Sequence, residues 1–66
     1  MKYKVTIHFV GGGILVYVTK NEEEPNRIKY HLENNIPLAV VESNRTLTIP
    51  THNILAVEEE PLEVNE

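Results

Sequence analysis

The chain contains no cysteine, no tryptophan and no aspartate, and it has a single phenylalanine and a single methionine. Without cysteine, neither a disulfide nor a thiolate-bound metal can stabilise the fold. A chain of 66 residues buries only a small core, and proteins of this size usually depend on disulfides, a metal or oligomerisation. Self-association is therefore the expected source of additional stability.

Long apolar segments are also missing. No run approaches the roughly 20 residues that a helix needs to cross a bilayer. The N-terminal residues lack the apolar core and cleavage site of a signal peptide. We therefore expect a cytoplasmic protein that does not associate with a membrane.

Positive charge is scarce and unevenly placed. The formal net charge is −4, all ten acidic residues are glutamates, and the glutamates dominate the C-terminal half. A mildly acidic chain argues against a general charge-driven nucleic-acid binder, which would carry a basic patch. The distribution is typical of a solvated tail beside ordinary surface lysines. It predicts a single β-rich domain over residues 1–58 and a frayed acidic tail over residues 59–66.

Residues 3–20 alternate apolar and polar side chains in two runs that three glycines separate, which predicts a β-hairpin. With Gly12-Gly13 at the centre of the turn, Phe9 lies opposite Val16, and most apolar side chains share one face. A three-residue turn would pair Phe9 with Leu15 and mix the two faces, so the first register is favoured. In that register the second face carries Thr6, His8, Val10, Leu15 and Tyr17.

One helix and three further strands follow. Pro25 suits the first helical turn, so a helix is predicted over about residues 25–33, with Asn34-Asn35 as its stop. The strands are predicted over residues 38–42, 46–49 and 54–57, and Ser43-Asn44 forms the turn between the first two. That turn places Val40 opposite Leu47.

The order strand, strand, helix, strand, strand, strand predicts an α+β fold. Segregated hairpins around a short helix fit either an α+β layer or a small, strongly bent antiparallel sheet that closes toward a barrel. No internal repeat or linker divides the chain.

No residue pattern points to catalysis or to a cofactor. The three glycines lead into a strand rather than a helix, which favours a hairpin turn over a phosphate-binding loop. His8, His31 and His52 fall on three different elements and lack the spacing of a zinc site. Ser43 is the only serine and lies in a turn, while the glutamates cluster in charged runs. We expect no enzyme, no metal and no cofactor.

The second face of the hairpin is the candidate functional surface, and its role stays open. It could be a second core face, covered by the helix or by the later strands. It could also be a subunit interface, where tyrosine and histidine supply apolar area with a polar edge. A third hypothesis is a nucleotide or nucleic-acid site, which would use Lys2, Lys4, Tyr17, Arg27 and Lys29.

The hairpin over residues 5–18, the short acidic helix and the closing segments over residues 44–49 and 53–59 resemble small uncharacterised proteins of phages and prophages of Gram-positive bacteria. The resemblance covers about residues 1–60 and rests on pattern. It implies a phage accessory protein in the host cytoplasm, or an intracellular host protein. Some accessory proteins of this size bind and block host proteins, and others sequester signalling nucleotides in oligomeric assemblies.

No residue of the chain matches a known binding motif of either kind. The residues and the resemblance together predict a non-enzymatic interaction module that binds a host or phage protein as a homo-oligomer. The alternative is a protein that binds a nucleotide or nucleic acid through a sheet face or a subunit junction.

Overall fold

A computed structural model describes residues 2–62, with only the backbone for Glu42. Over this range the chain forms one α-helix, five strands and a short 3-10 turn at Thr51–Asn53. The elements are β1 (Lys2–Phe9), β2 (Ile14–Thr19), α1 (Glu24–Glu33), β3 (Leu38–Glu42), β4 (Arg45–Ile49) and β5 (Ile54–Leu62). The predicted α+β class and order of elements are confirmed.

The strands form two antiparallel sheets. β1 lies at the centre of a three-stranded sheet with the order β2-β1-β5, and β3 pairs with β4 as a separate hairpin. None of the five described strands belongs to both sheets, so β2 and the β3–β4 hairpin are not joined by hydrogen bonds between strands. The described strands therefore do not close into a barrel.

β5 is longer than predicted. It continues through residues 59–62, where the sequence predicted the beginning of a frayed tail, so that prediction is wrong for these four residues. Cross-strand polar partners favour the extension, since Glu60 lies opposite Lys4 and Glu58 Oε1 lies within hydrogen-bond distance of His8 Nε2, at 2.5 Å. The rest of the predicted tail, residues 63–66, lies outside the described residues.

The β3–β4 hairpin has the predicted register. Leu38 lies opposite Ile49 and Val40 lies opposite Leu47, so the Ser43-Asn44 turn is confirmed. Apolar side chains on one face of each strand were sufficient to fix this pairing, because a slip of one residue would have moved them to the other face.

The β1–β2 hairpin has a different register from the predicted one. His8 lies opposite Ile14 rather than Tyr17, a shift of three residues along β2. The positive φ angles fall on Gly11 (102°) and Gly12 (101°), and not on Gly12 and Gly13. The turn therefore begins earlier than expected, and the loop contains three residues rather than two.

A register shift by an odd number of residues exchanges the two faces of β2. Leu15 and Tyr17 now pack against the core, where β1 contributes Val5 and Ile7, both 0% exposed. The opposite side of the three-stranded sheet, called the outer face below, carries Thr6 and His8 of β1 together with Ile14, Val16 and Val18 of β2. The predicted second face is thus divided between the two sides of the sheet.

α1 begins at Glu24 and covers the core with little apolar area. Ile28 is its one buried apolar side chain, since Leu32 is 37% exposed. The helix ends as predicted at Asn34-Asn35, where Asn35 adopts a left-handed φ of 55° and the Ile36 N–H donates to the His31 carbonyl. Within residues 2–62, no helix is long and apolar enough to cross a membrane.

The enclosed core is small and draws on both sheets and the helix. Its buried apolar side chains are Val5, Ile7, Ile28, Leu38, Val40 and Ile49. Since apolar burial supplies most of the stability of a domain, a core of this size leaves the fold sensitive to the loss of single contacts.

Replacing Gly11 with alanine is expected to lower the free energy of unfolding by about 1–3 kcal/mol, because residues with a side chain rarely adopt its φ. Gly13→Ala is the matched control. Its added Cβ would lie at an ordinary 3.5 Å from Phe9 Cδ2, so stability should stay level or rise by up to about 1 kcal/mol. Urea unfolding of the two variants measures the difference, and equal losses would contradict the observed turn.

Candidate functional site

A buried carboxylate connects the helix to the sheet. Glu24, the first residue of α1, is 6% exposed. It accepts a hydrogen bond from the Tyr17 hydroxyl at 2.6 Å, and Arg27 donates from Nε at 2.6 Å and from Nη2 at 2.9 Å. The two Arg27 bonds reach different oxygens of the carboxylate, which is the bidentate geometry of strong ion pairs. The three residues are called the Glu24 cluster below.

Local sequence explains why the cluster forms. Pro25 fixes the first turn of α1, and a glutamate beside the N-terminal end of a helix is favoured by the helix dipole. Arg27 and Ile28 follow Glu24 by three and four residues, so all three lie on the face that meets the sheet. This spacing was the only sequence signal for the cluster that we identify. Glu24 is otherwise one of three consecutive glutamates, a pattern typical of solvated surface.

Hydrogen bonds and burial set the charge states of the cluster. The bond from Arg27 is the largest cause that lowers the pKa of Glu24, and the reciprocal bond raises the pKa of Arg27. Burial, followed by the bond to Glu24, raises the pKa of Tyr17. At neutral pH the carboxylate is ionised and the phenol is protonated. Both pKa values move away from the range suited to proton transfer near pH 7, and the contacts hold α1 on the sheet.

A cleft of about 340 Å³ opens beside this cluster. It is lined by three consecutive residues of β2 (17–19), three consecutive residues of β3 (39–41), and Glu24 and Arg27. Side chains of a strand alternate between faces, so three consecutive residues can line one cleft only along the edge of the strand. The cleft therefore lies between the free edges of β2 and β3.

The outer face of β2 carries a row of exposed aliphatic side chains. Ile14 is 62% exposed, Val16 is 45% exposed and Val18 is 55% exposed. These three residues are called the outer stripe below. They occupy alternate positions of one edge strand, so they form a continuous apolar row.

The residues predicted for an interface are separated by the fold. Thr6 and His8 lie beside the outer stripe, whereas Leu15 and Tyr17 pack against the core. Val10 lies in the turn and is 63% exposed. The observed register, rather than the choice of residue types, is the reason for the separation.

The residues predicted for a nucleotide or nucleic-acid site are brought together only in part. Tyr17 and Arg27 meet at Glu24, where both are engaged by the carboxylate. Lys2 and Lys4 lie on β1, and Lys29 is on the exposed surface of α1 and lies 3.9 Å from Glu33. Lys2 and Lys4 therefore lie on a different element from the Glu24 cluster, and Lys29, although it shares α1 with Arg27, does not line the cleft beside that cluster.

The histidines lie apart. His8 Nε2 contacts Glu58 Oε1 at 2.5 Å, His31 Nδ1 lies 3.0 Å from the Pro37 carbonyl oxygen, and His52 belongs to the 3-10 turn. In the part of the chain that the structure describes, no three potential metal ligands form a group.

Tyr17→Phe is expected to lower the free energy of unfolding by about 1–2 kcal/mol, because it removes a hydrogen bond to a buried charge. Tyr30→Phe is the control, since it makes the same chemical change at a tyrosine that is 59% exposed. It should change the free energy of unfolding by no more than about 0.5 kcal/mol. Chemical denaturation at pH 7 compares the two variants. A similar loss in both would show that the bond from Tyr17 to Glu24 adds nothing to stability.

The lowered pKa of Glu24 also predicts that the free energy of unfolding depends on pH. Its pKa is lowered on folding from the ordinary value of 4.5, so the stabilisation is fully present above that pH and is lost as the pH falls through the folded-state pKa. Glu24→Gln should therefore destabilise the protein at pH 7, and the difference from the unsubstituted protein should shrink below pH 4.5. Thermal unfolding between pH 3 and 7, with the exposed Glu22→Gln as the control, measures this. A difference that stays constant with pH would contradict the assignment.

Neither a protein-family model, nor a curated protein, nor a solved structure matches this chain. The candidate functional surfaces of the protein are therefore defined by geometry alone. They are the Glu24 cluster, the cleft between the edges of β2 and β3, and the outer stripe.

Proposed function

We propose that the chain is a non-enzymatic interaction module that acts as a homo-oligomer and binds the surface of another protein. The observation that carries this proposal is the outer stripe, in which three neighbouring aliphatic side chains of one edge strand are each 45–62% exposed. Contiguous apolar patches on a small protein are typical of interaction sites.

The arrangement of these side chains matters more than their number. Exposed apolar residues are ordinary on protein surfaces, and Leu55 on β5 is 71% exposed. Ile14, Val16 and Val18 differ because they adjoin one another and belong to a strand with no charged residue. Burying them in an assembly would remove apolar area from water at about 25 cal/mol per Å².

The small core supports the oligomeric part of the proposal. A domain of this length, without disulfides, gains the stability that its own interior cannot supply by association. The compartment and the partner follow from the sequence resemblance, which favours the cytoplasm and a host or phage protein. A nucleotide or nucleic-acid ligand has no comparable support, because none of its candidate lysines, Lys2, Lys4 and Lys29, lines the cleft that Tyr17 and Arg27 line.

Light scattering after size-exclusion chromatography should give a dimer or a larger multiple of the protomer at micromolar concentration. Val16→Lys, at the centre of the outer stripe, should raise the dissociation constant at least about tenfold, which is about 1.4 kcal/mol. The matched variant Leu55→Lys adds the same charge at an exposed position of β5, outside the outer stripe, and should leave the assembly intact. A strict monomer would overturn the proposal, and equal effects of the two variants would remove the outer stripe from it.

A further inference from the structure

The free edge of β2 is the least protected edge in the described part of the fold. β2 pairs with β1 on one side and has no second neighbour among residues 2–62. Its sequence, Ile14–Thr19, contains no charged residue and no proline. The other edge strand of this sheet, β5, carries Glu58, Glu59, Glu60 and Pro61, which are the residue types that prevent edge-to-edge association.

The phase of the hydrogen-bond ladder determines which backbone groups point outward. At the hairpin end, the Phe9 N–H donates to the Gly13 carbonyl at 2.8 Å. Residues of antiparallel strands alternate between facing the partner strand and facing away, so the backbone groups of Leu15 and Tyr17 face β1. Those of Ile14, Val16 and Val18 therefore point away from it, toward the free edge.

A second hydrogen bond supports this phase. The Val10 N–H, one residue after Phe9, donates to the Asn53 carbonyl at 2.9 Å, on the β5 side of the sheet. Phe9, the last residue of β1, and the residue that follows it thus face opposite sides, as the alternation requires. The outer stripe and the outward backbone groups consequently belong to the same three residues of β2.

We propose that β2 pairs in antiparallel fashion with β2 of a second copy, about a two-fold axis at Val16. This inference rests on the proposed function and specifies its assembly. In this register Val16 lies opposite Val16 of the second copy, and Ile14 lies opposite Val18. Each of these pairs has its N–H and C=O groups directed at the other strand, so each pair exchanges both N–H···O bonds. The two sheets become one continuous six-stranded sheet.

A second copy is the occupant that the edge itself favours. A two-fold interface requires a surface that complements itself, and a strand without charge brings no like charges together when it meets its own copy. The pairing also joins the two outer stripes into one apolar surface.

Amide hydrogen exchange followed by NMR tests the pairing without a substitution. At concentrations where the dimer forms, the amides of Ile14, Val16 and Val18 should exchange at least about tenfold more slowly than after dilution to the monomer. The amides of Leu15 and Tyr17, which face β1, are internal controls and should be protected at both concentrations.

Val16→Pro provides a matched variant. Proline removes the outward N–H but is tolerated on an edge strand where that N–H faces solvent, so the variant should fold and remain monomeric. Val16→Ala retains the N–H and should weaken the dimer less than Val16→Pro. Should the proline variant not fold, the exchange pattern of the unsubstituted protein decides the question.

The outcomes separate the two proposals. A dimer with concentration-dependent protection at Ile14, Val16 and Val18 supports edge pairing. A dimer in which these amides exchange rapidly at every concentration overturns edge pairing, because the copies would then meet through side chains alone, and the proposed function would stand. A monomer at all concentrations overturns both.

Discussion

The three-residue turn between β1 and β2 is the constraint on which the rest of the structure depends. Positive φ angles at Gly11 and Gly12 set the length of the loop, and the length of the loop sets which residue of β2 meets each residue of β1. A change of one residue would exchange the inner and outer faces of β2. The turn thus places Tyr17 over the core and leaves Ile14, Val16 and Val18 outside.

The inward position of Tyr17 couples the hairpin to the helix. Its hydroxyl reaches Glu24, which Arg27 also holds, so the start of α1 is fixed against the strand whose phase the turn determines. This arrangement compensates for a helix that buries one apolar side chain, Ile28. Specific polar contacts therefore position an element that apolar packing alone would hold weakly.

Much of the fold could be predicted from the sequence because alternation, proline and turn residues act locally. Pro25 marked the first turn of α1, and the Ser43-Asn44 turn gave the correct β3–β4 register because apolar residues on one face left a single good pairing. The β1–β2 register could not be obtained in the same way. Apolar residues occupy both faces of β2, so pairing apolar residues of β2 with those of β1 favoured the wrong register. The hydrogen bond from Tyr17 to Glu24, which favours an inward tyrosine, is not visible in that pattern.

The remaining errors have a related cause. Glu24, Glu58 and Glu60 belong to runs of glutamates that resemble solvated surface, yet each faces a residue of another element: Tyr17 for Glu24, His8 for Glu58 and Lys4 for Glu60. Arg27 makes burial of Glu24 favourable, while Lys4 and His8 favour the extension of β5 along β1. Partners on a different strand leave little periodic signal in a single sequence, whereas the three-residue spacing of Glu24 and Arg27 is visible in it. The predicted surface consequently combines inner and outer residues of the β1–β2 hairpin.

The register of the β1–β2 hairpin is the central claim, and nuclear Overhauser effects between Hα protons test it most directly. Across an antiparallel ladder, the Cα atoms of non-hydrogen-bonded pairs approach to about 4.5 Å, which brings their Hα protons into close contact. The observed register predicts strong Hα–Hα signals between Thr6 and Val16 and between Lys4 and Val18. Strong signals that instead join His8 to Tyr17 or Phe9 to Val16 would contradict it.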